Sequence, residues 1–60
     1  MNTYSEQDAK ELAQSLSEVK TGDYVACPLN DTDWIITRFY SHYSPYRQYV
    51  YSNGALRYSA

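Results

Sequence analysis

Sixty residues with seven acids, five Lys or Arg and one cysteine leave room for one small domain and none for a deep pocket. A chain of this size buries only about 60% of the surface its unfolded form exposes. The lone Cys27 rules out an internal disulfide and points to a reducing compartment, the cytoplasm. Residues 1–12 lack the basic start and apolar run of a secretory signal, and no stretch approaches the roughly 20 apolar residues of a membrane span.

The net charge of −2 hides a polarity along the chain. Up to Asp33 there are seven acids against Lys10 and Lys20; beyond it stand only Arg38, Arg47 and Arg57, in the segment that also holds Trp34, Phe39 and six of the eight tyrosines. The aliphatic stock is thin, so tyrosine must supply core area. Each buried ring then brings a hydroxyl that needs a partner.

In chain order, residues 1–4 read as a loose lead-in. Ser5 with Asp8 three residues on resembles a capping box, and Glu6 and Asp8 put negative charge at a helix start. The spacing of Ala9, Leu12, Ala13, Leu16 and Val19 predicts a helix over residues 5–20 with that stripe facing the core and Lys10, Glu11, Gln14, Ser15 and Glu18 facing water. Lys20 and then Gly22, in a left-handed conformation, are expected to close it.

A short strand over residues 24–28 follows, with Val25 and Cys27 on one face and Pro28 at its end. Residues 30–33 are turn formers; Asp31 and Asp33 flanking Thr32 lack the further oxygen ligands and the glycine of a calcium loop, so a solvated turn is expected and no metal. A second strand over residues 34–41 carries Trp34, Ile36, Arg38 and Tyr40 on one face and Ile35, Thr37 and Phe39 on the other; such a strand is either central or bent so that each end buries a different side. After a loop at His42-Tyr43-Ser44-Pro45, strands over residues 46–52 and 55–59 form a hairpin about Asn53-Gly54. A two-residue turn pairs Ser52 with Ala55, Tyr51 with Leu56, Val50 with Arg57 and Tyr49 with Tyr58. That register gathers Tyr49, Tyr51, Leu56 and Tyr58 on a core-facing side and turns Gln48, Val50 and Arg57 away from it. The expected class is α+β, an N-terminal helix packed on a twisted four-stranded antiparallel sheet.

Gly22-Asp23-Tyr24-Val25-Ala26-Cys27, Trp34-Ile35-Ile36-Thr37, Ser41-His42-Tyr43 and the stretch from Tyr49 to Arg57-Tyr58-Ser59 resemble a small SH3-like or Tudor-like barrel. The particular likeness is to the Tudor-type domain of the SAGA-associated chromatin factor family, where a Gly-Asp-x-Val-Ala strand leads to a Trp-Ile-Leu strand. The resemblance covers about the last two thirds of the chain and implies an incomplete SH3-like barrel. Family members use two barrels in tandem and read a methylated histone tail with aromatic and acidic residues. This chain has one barrel at most, reads Tyr51-Ser52-Asn53-Gly54-Ala55 where the family has acids, and ends at Ala60 before a fifth strand. The sheet then either stays open, with an edge available for a homodimer, or takes a strand from a partner.

No catalytic motif, zinc spacing or phosphate loop is present, so the expectation is a non-enzymatic protein without cofactor. His42 reads as a solvated loop residue, and Cys27 as a small strand hydrophobe. The first functional reading is a protein-binding module, a regulator or inhibitor of a larger protein of the kind phages and mobile elements encode. Its partner-binding residues would be Trp34, Arg38, Tyr40, His42, Tyr43, Tyr46 and Arg47, in or flanked by the Trp, Tyr and Arg types that dominate binding hot spots. Against it stands the reading that the tyrosines merely fill the core. Two further readings are single-stranded nucleic acid stacked on the rings with Arg38, Arg47 and Arg57 at phosphates, and a methylated-peptide cage walled by Trp34, Tyr40 and Tyr51.

Overall fold

The structure is a computed structural model; it describes residues 2–38 and 47–59, with Tyr58 described through its backbone. One helix, α1 (Glu6–Val19), is followed by strands β1 (Asp23–Pro28), β2 (Trp34–Thr37), β3 (Tyr49–Ser52) and β4 (Ala55–Ser59). The strands form one open antiparallel sheet in the order β2-β1-β3-β4, with α1 packed on one face. The fold is α+β. β1 is hydrogen-bonded on both sides and its residues are buried from Tyr24 to Pro28, whereas β2 is an edge strand.

Ser5 caps the helix as the sequence predicts: its Oγ accepts the backbone N–H of Asp8 at 3.2 Å. The other end differs. Lys20 is the C-cap in extended conformation, its N–H donating to the Leu16 carbonyl at 2.9 Å. The positive φ of Gly22, +105°, serves the turn into β1, where the Arg38 side chain lies against it.

The face that α1 turns to the sheet keeps Ala9 and Ala13 of the predicted stripe and is rotated away from the rest of it. Ala9, Ala13 and Ser17, at steps of four, are fully buried; Leu12 and Leu16 are half-buried and Val19 is 77% exposed. Small residues let the helix axis come close to the sheet, and the volume between is filled from the other side by Tyr24, Ala26, Trp34 and Tyr51. Large side chains on both surfaces would have held the layers apart.

The sheet buries both of its faces. Tyr24, Ala26, Trp34, Ile36, Tyr49 and Tyr51 join the helix-side cluster, and Val25, Cys27, Ile35 and Val50 form a second cluster on the opposite side with Leu29 packed against it. This is strand alternation read from both sides. Tyr49 and Tyr51 act as core residues, as their hairpin pairing predicts, and Tyr24 joins them, but Leu56, expected on the same core-facing side, is 51% exposed.

Three further corrections concern pairing and burial. The lead-in is tied down: Tyr4 and Trp34 exchange two backbone hydrogen bonds of 2.8 Å, so residue 4 lies as a one-residue strand against the outer edge of β2. Because Trp34 aims its polar backbone groups at Tyr4, its pair with Pro28 needs no N–H from the proline. Within the hairpin, Ser52 faces Ala55 and Tyr51 faces Leu56 as expected, but the register then shifts. Val50 lies opposite residue 58 and Tyr49 opposite Ser59, leaving Arg57 as the extra residue of a bulge. Gln48, expected with Val50 on the side turned away from the core-facing tyrosines, is buried, as is Val50.

β2 and β3 are also shorter than the sequence predicts. β2 ends at Thr37 with a bend at Arg38, and β3 begins at Tyr49 after a bend at Arg47. Residues 39–46, on which the expected continuation of one strand and start of the next fall, lie outside the described residues.

Candidate interaction surface

Of the seven side chains that the sequence offers for binding a partner, the described part of the structure contains three; it brings Arg47 onto Trp34 and places Arg38 apart from both. Trp34 is only 3% exposed; its ring stacks on Tyr49 at 5.9 Å between centroids, with planes 27° apart. Burial and stacking make it a core residue, contrary to the expectation of a surface anchor. Arg47 covers it from outside, the guanidinium carbon 5.4 Å from the ring centroid, and is held there by a 3.2 Å ion pair with Glu6. The Tyr49 hydroxyl donates to the other Glu6 oxygen at 3.5 Å, and Lys10 Nζ stands 4.4 Å from the Tyr49 centroid. These side chains clamp the first turns of α1 to the start of β3.

Arg38 occupies the far end of the sheet. The pairing of Val25 with Thr37 brings it beside Tyr24, whose ring centroid lies 4.8 Å from its guanidinium carbon, while its Nη2 donates to the Thr21 carbonyl at 3.0 Å. Arg38 and Arg47 are both exposed, yet each is used by the fold to cover a buried ring. Tyr40, His42, Tyr43 and Tyr46 lie outside the described residues. Of the three rings expected to wall a methyl-lysine cage, Trp34 and Tyr51 are buried in the core, and the third, Tyr40, lies outside the described residues.

The turn at residues 30–33 is closed by hydrogen bonds within it and to Leu29. Asn30 Oδ1 accepts the backbone N–H groups of Thr32 at 3.0 Å and Asp33 at 2.8 Å, and Leu29 N–H donates to the Asp33 carbonyl at 2.8 Å. Among the described residues no group of three or more His, Cys, Asp and Glu is placed to hold a metal ion. No helix among the described residues is long and apolar enough to cross a membrane.

No family model, no curated protein and no solved structure matches the chain.

The surface that the sequence reading missed lies on α1. Lys10 reaches Tyr49, Gln14 Nε2 donates to the Gly54 carbonyl at 2.9 Å and Ser17 Oγ accepts from Gly54 N–H at 3.0 Å, so this side of the helix faces β3 and the β3–β4 turn. Helical geometry places Leu12, Leu16 and Val19 on the opposite side, toward β2, where Leu16 and Ile36 both pack on the margin of the core. These three residues form a strip that the sheet covers only in part. Asp8, exposed, borders that strip, whereas Glu18 lies on the other side of α1, against Gly54 of the β3–β4 turn. The sequence reads Ala9, Leu12, Ala13, Leu16 and Val19 as one stripe; the structure buries Ala9 and Ala13 from it together with Ser17, and leaves Leu12, Leu16 and Val19 at the margin.

Proposed function

We propose that this chain is a non-enzymatic protein-binding module, a small regulator or inhibitor of a larger protein, and that α1 supplies its contact surface. One observation carries the reading: α1 spends its smallest residues on its own core and leaves Val19 77% exposed beside half-buried Leu12 and Leu16. An apolar strip bordered by charge is the pattern of a protein-contact site. Tyr40, His42, Tyr43 and Tyr46 remain part of the proposed surface on the strength of their types. Trp34 enters it only as the support beneath Arg47.

The cytoplasm is the proposed compartment, supported by a single, buried, unpaired Cys27. Kinship with SH3-like or Tudor-like barrels is proposed on the residues that resemble them. A central β1 paired with both β2 and β3 is compatible with it.

The test is affinity purification of the tagged protein from cells of its source, with and without nuclease, beside a Val19→Asp variant. A protein captured by the parent chain in both conditions and lost by the variant supports the reading. Capture that nuclease abolishes assigns the chain to nucleic-acid binding instead. Because Val19 touches so little of the fold, the variant should unfold within about 0.5 kcal/mol of the parent.

A further inference from the structure

We infer that Asn53-Gly54 is a latent site of self-modification, the deamidation of Asn53 to an aspartyl or isoaspartyl residue, and that the Ser17 hydroxyl holds it closed while α1 is docked. The reaction needs a side-chain amide beside a backbone nitrogen that is free to attack it. Three asparagines are present, followed by Thr3, Asp31 and Gly54. Of these successors only glycine has no Cβ to hinder approach to its nitrogen. Asn53 is exposed in the β3–β4 turn. The Asn30 amide is engaged at both ends: its Oδ1 accepts from Thr32 and Asp33, and its Nδ2 donates to Asp33 at 3.2 Å.

Water is the only reagent required. The Gly54 nitrogen gives up its proton to solvent and attacks Cγ of Asn53. The N–Cγ bond forms, the Cγ–Nδ2 bond breaks, and Nδ2 takes a proton from solvent and leaves as ammonia. One water then opens the five-membered imide. Cleavage of the new N–Cγ bond gives an aspartyl residue; cleavage at the original carbonyl gives the isoaspartyl form, whose main chain runs through the side-chain carbon. Nothing is oxidised or reduced.

The folded structure withholds the nucleophile. Gly54 N–H donates to Ser17 Oγ at 3.0 Å, and that hydroxyl donates to the Gln14 carbonyl at 2.8 Å, which fixes its lone pair toward the glycine. Ser17 is fully buried, so solvent base does not reach the shared proton. The Gly54 carbonyl accepts from Gln14 Nε2 at 2.9 Å, and Cβ and Cγ of Glu18 lie 3.3 Å from where a Cβ of residue 54 would stand. The peptide cannot turn toward the Asn53 side chain until the turn leaves the helix. Modification therefore proceeds through opening of the joint between α1 and the β3–β4 turn. Its product carries a new carboxylate next to Glu18, so a passing opening becomes a permanent change of charge.

The experiment incubates the intact chain at mildly alkaline pH and reads deamidation at each asparagine by peptide mass mapping. In urea Asn53 should outpace Asn2 and Asn30, and in the folded parent it should react at least about tenfold more slowly than in urea. Ser17→Ala in native buffer should accelerate it about fivefold or more. Val25→Ala removes volume from the opposite face of the sheet and leaves the Ser17 bond in place, so it should accelerate the reaction far less. Exchange of the Gly54 amide with deuterium, followed by NMR in the parent, reads the same opening without a variant, and its protection should match the slowing of deamidation.

Equal rates in the folded parent and in urea overturn the inference. A folded Ser17→Ala that reacts at the parent's rate does the same, as does equal acceleration by Val25→Ala, which would assign the reaction to unfolding of the whole chain. If Ser17→Ala does not fold, exchange decides: an unprotected Gly54 amide overturns the inference, and protection that matches the slowing supports it.

Discussion

Ser17 Oγ accepts the backbone N–H of Gly54 at 3.0 Å while donating to the Gln14 carbonyl at 2.8 Å, so one fully buried hydroxyl ties the β3–β4 turn to the helix. Ser17→Ala would leave the Gly54 N–H without its acceptor in a half-buried place. The expected loss is about 1–2 kcal/mol, read as a lower urea midpoint at unchanged slope. Gln14→Ala removes an exposed bond to the same residue and should cost less than about 1 kcal/mol.

Gly54 holds φ at +81°, and a Cβ there would stand 3.3 Å from Cβ and Cγ of Glu18. Gly54→Ala meets both a left-handed backbone and the helix surface, so destabilisation of about 1–2 kcal/mol is expected. Asn53, at φ +55°, is a residue type that tolerates this region; Asn53→Gly should lie within about 0.5 kcal/mol of the parent. Parallel thermal melts check the contrast.

Glu6 and Arg47 form a pair whose side chains are both well exposed, so its own contribution is small. A double-mutant cycle with Glu6→Gln and Arg47→Ala should return a coupling of no more than about 1 kcal/mol. Arg47→Ala should nonetheless cost more than Glu6→Gln, because it also uncovers Trp34, and the indole emission should shift toward that of a wetter ring.

Ala13 is fully buried at the approach of α1 to the sheet. Ala13→Leu, which the sequence pattern alone would welcome, should overpack this layer and destabilise by about 1–3 kcal/mol in urea unfolding.

Burial, and secondarily the neighbouring Tyr49, raises the pKa of Tyr51 above its ordinary 10.0. The folded protein therefore holds that proton to a higher pH than the unfolded chain does. The Tyr51 contribution is intact below pH 10 and is lost as pH rises through the folded value, since ionisation there favours unfolding. Urea unfolding across the alkaline range should show the decline, and it should be shallower in Tyr51→Phe.

Much of the local structure was legible because its causes are local. Ser5 as a cap, the helix from there to Val19, the short strand closed by Pro28 and the turn at Asn53-Gly54 all follow from capping, periodicity and backbone preference within a few residues. The register of the hairpin was legible for its first two pairs and failed at Val50, where a bulge absorbs Arg57. Such an insertion answers the curvature of the whole sheet, and no neighbour in sequence encodes it.

The candidate surface was legible only as a set of residue types. The sequence by itself determined that a helix would carry an apolar stripe and that aromatic strands would have to supply a core poor in Leu and Ile. Which part of that stripe faces inward was decided by tertiary packing. Trp34, Tyr24 and Tyr51 fill the layer between helix and sheet, only Ala9, Ala13 and Ser17 are small enough to meet them, and the larger Leu12, Leu16 and Val19 are turned toward the edge. The same volume constraint withdrew Trp34 from the surface and left Arg47 above it.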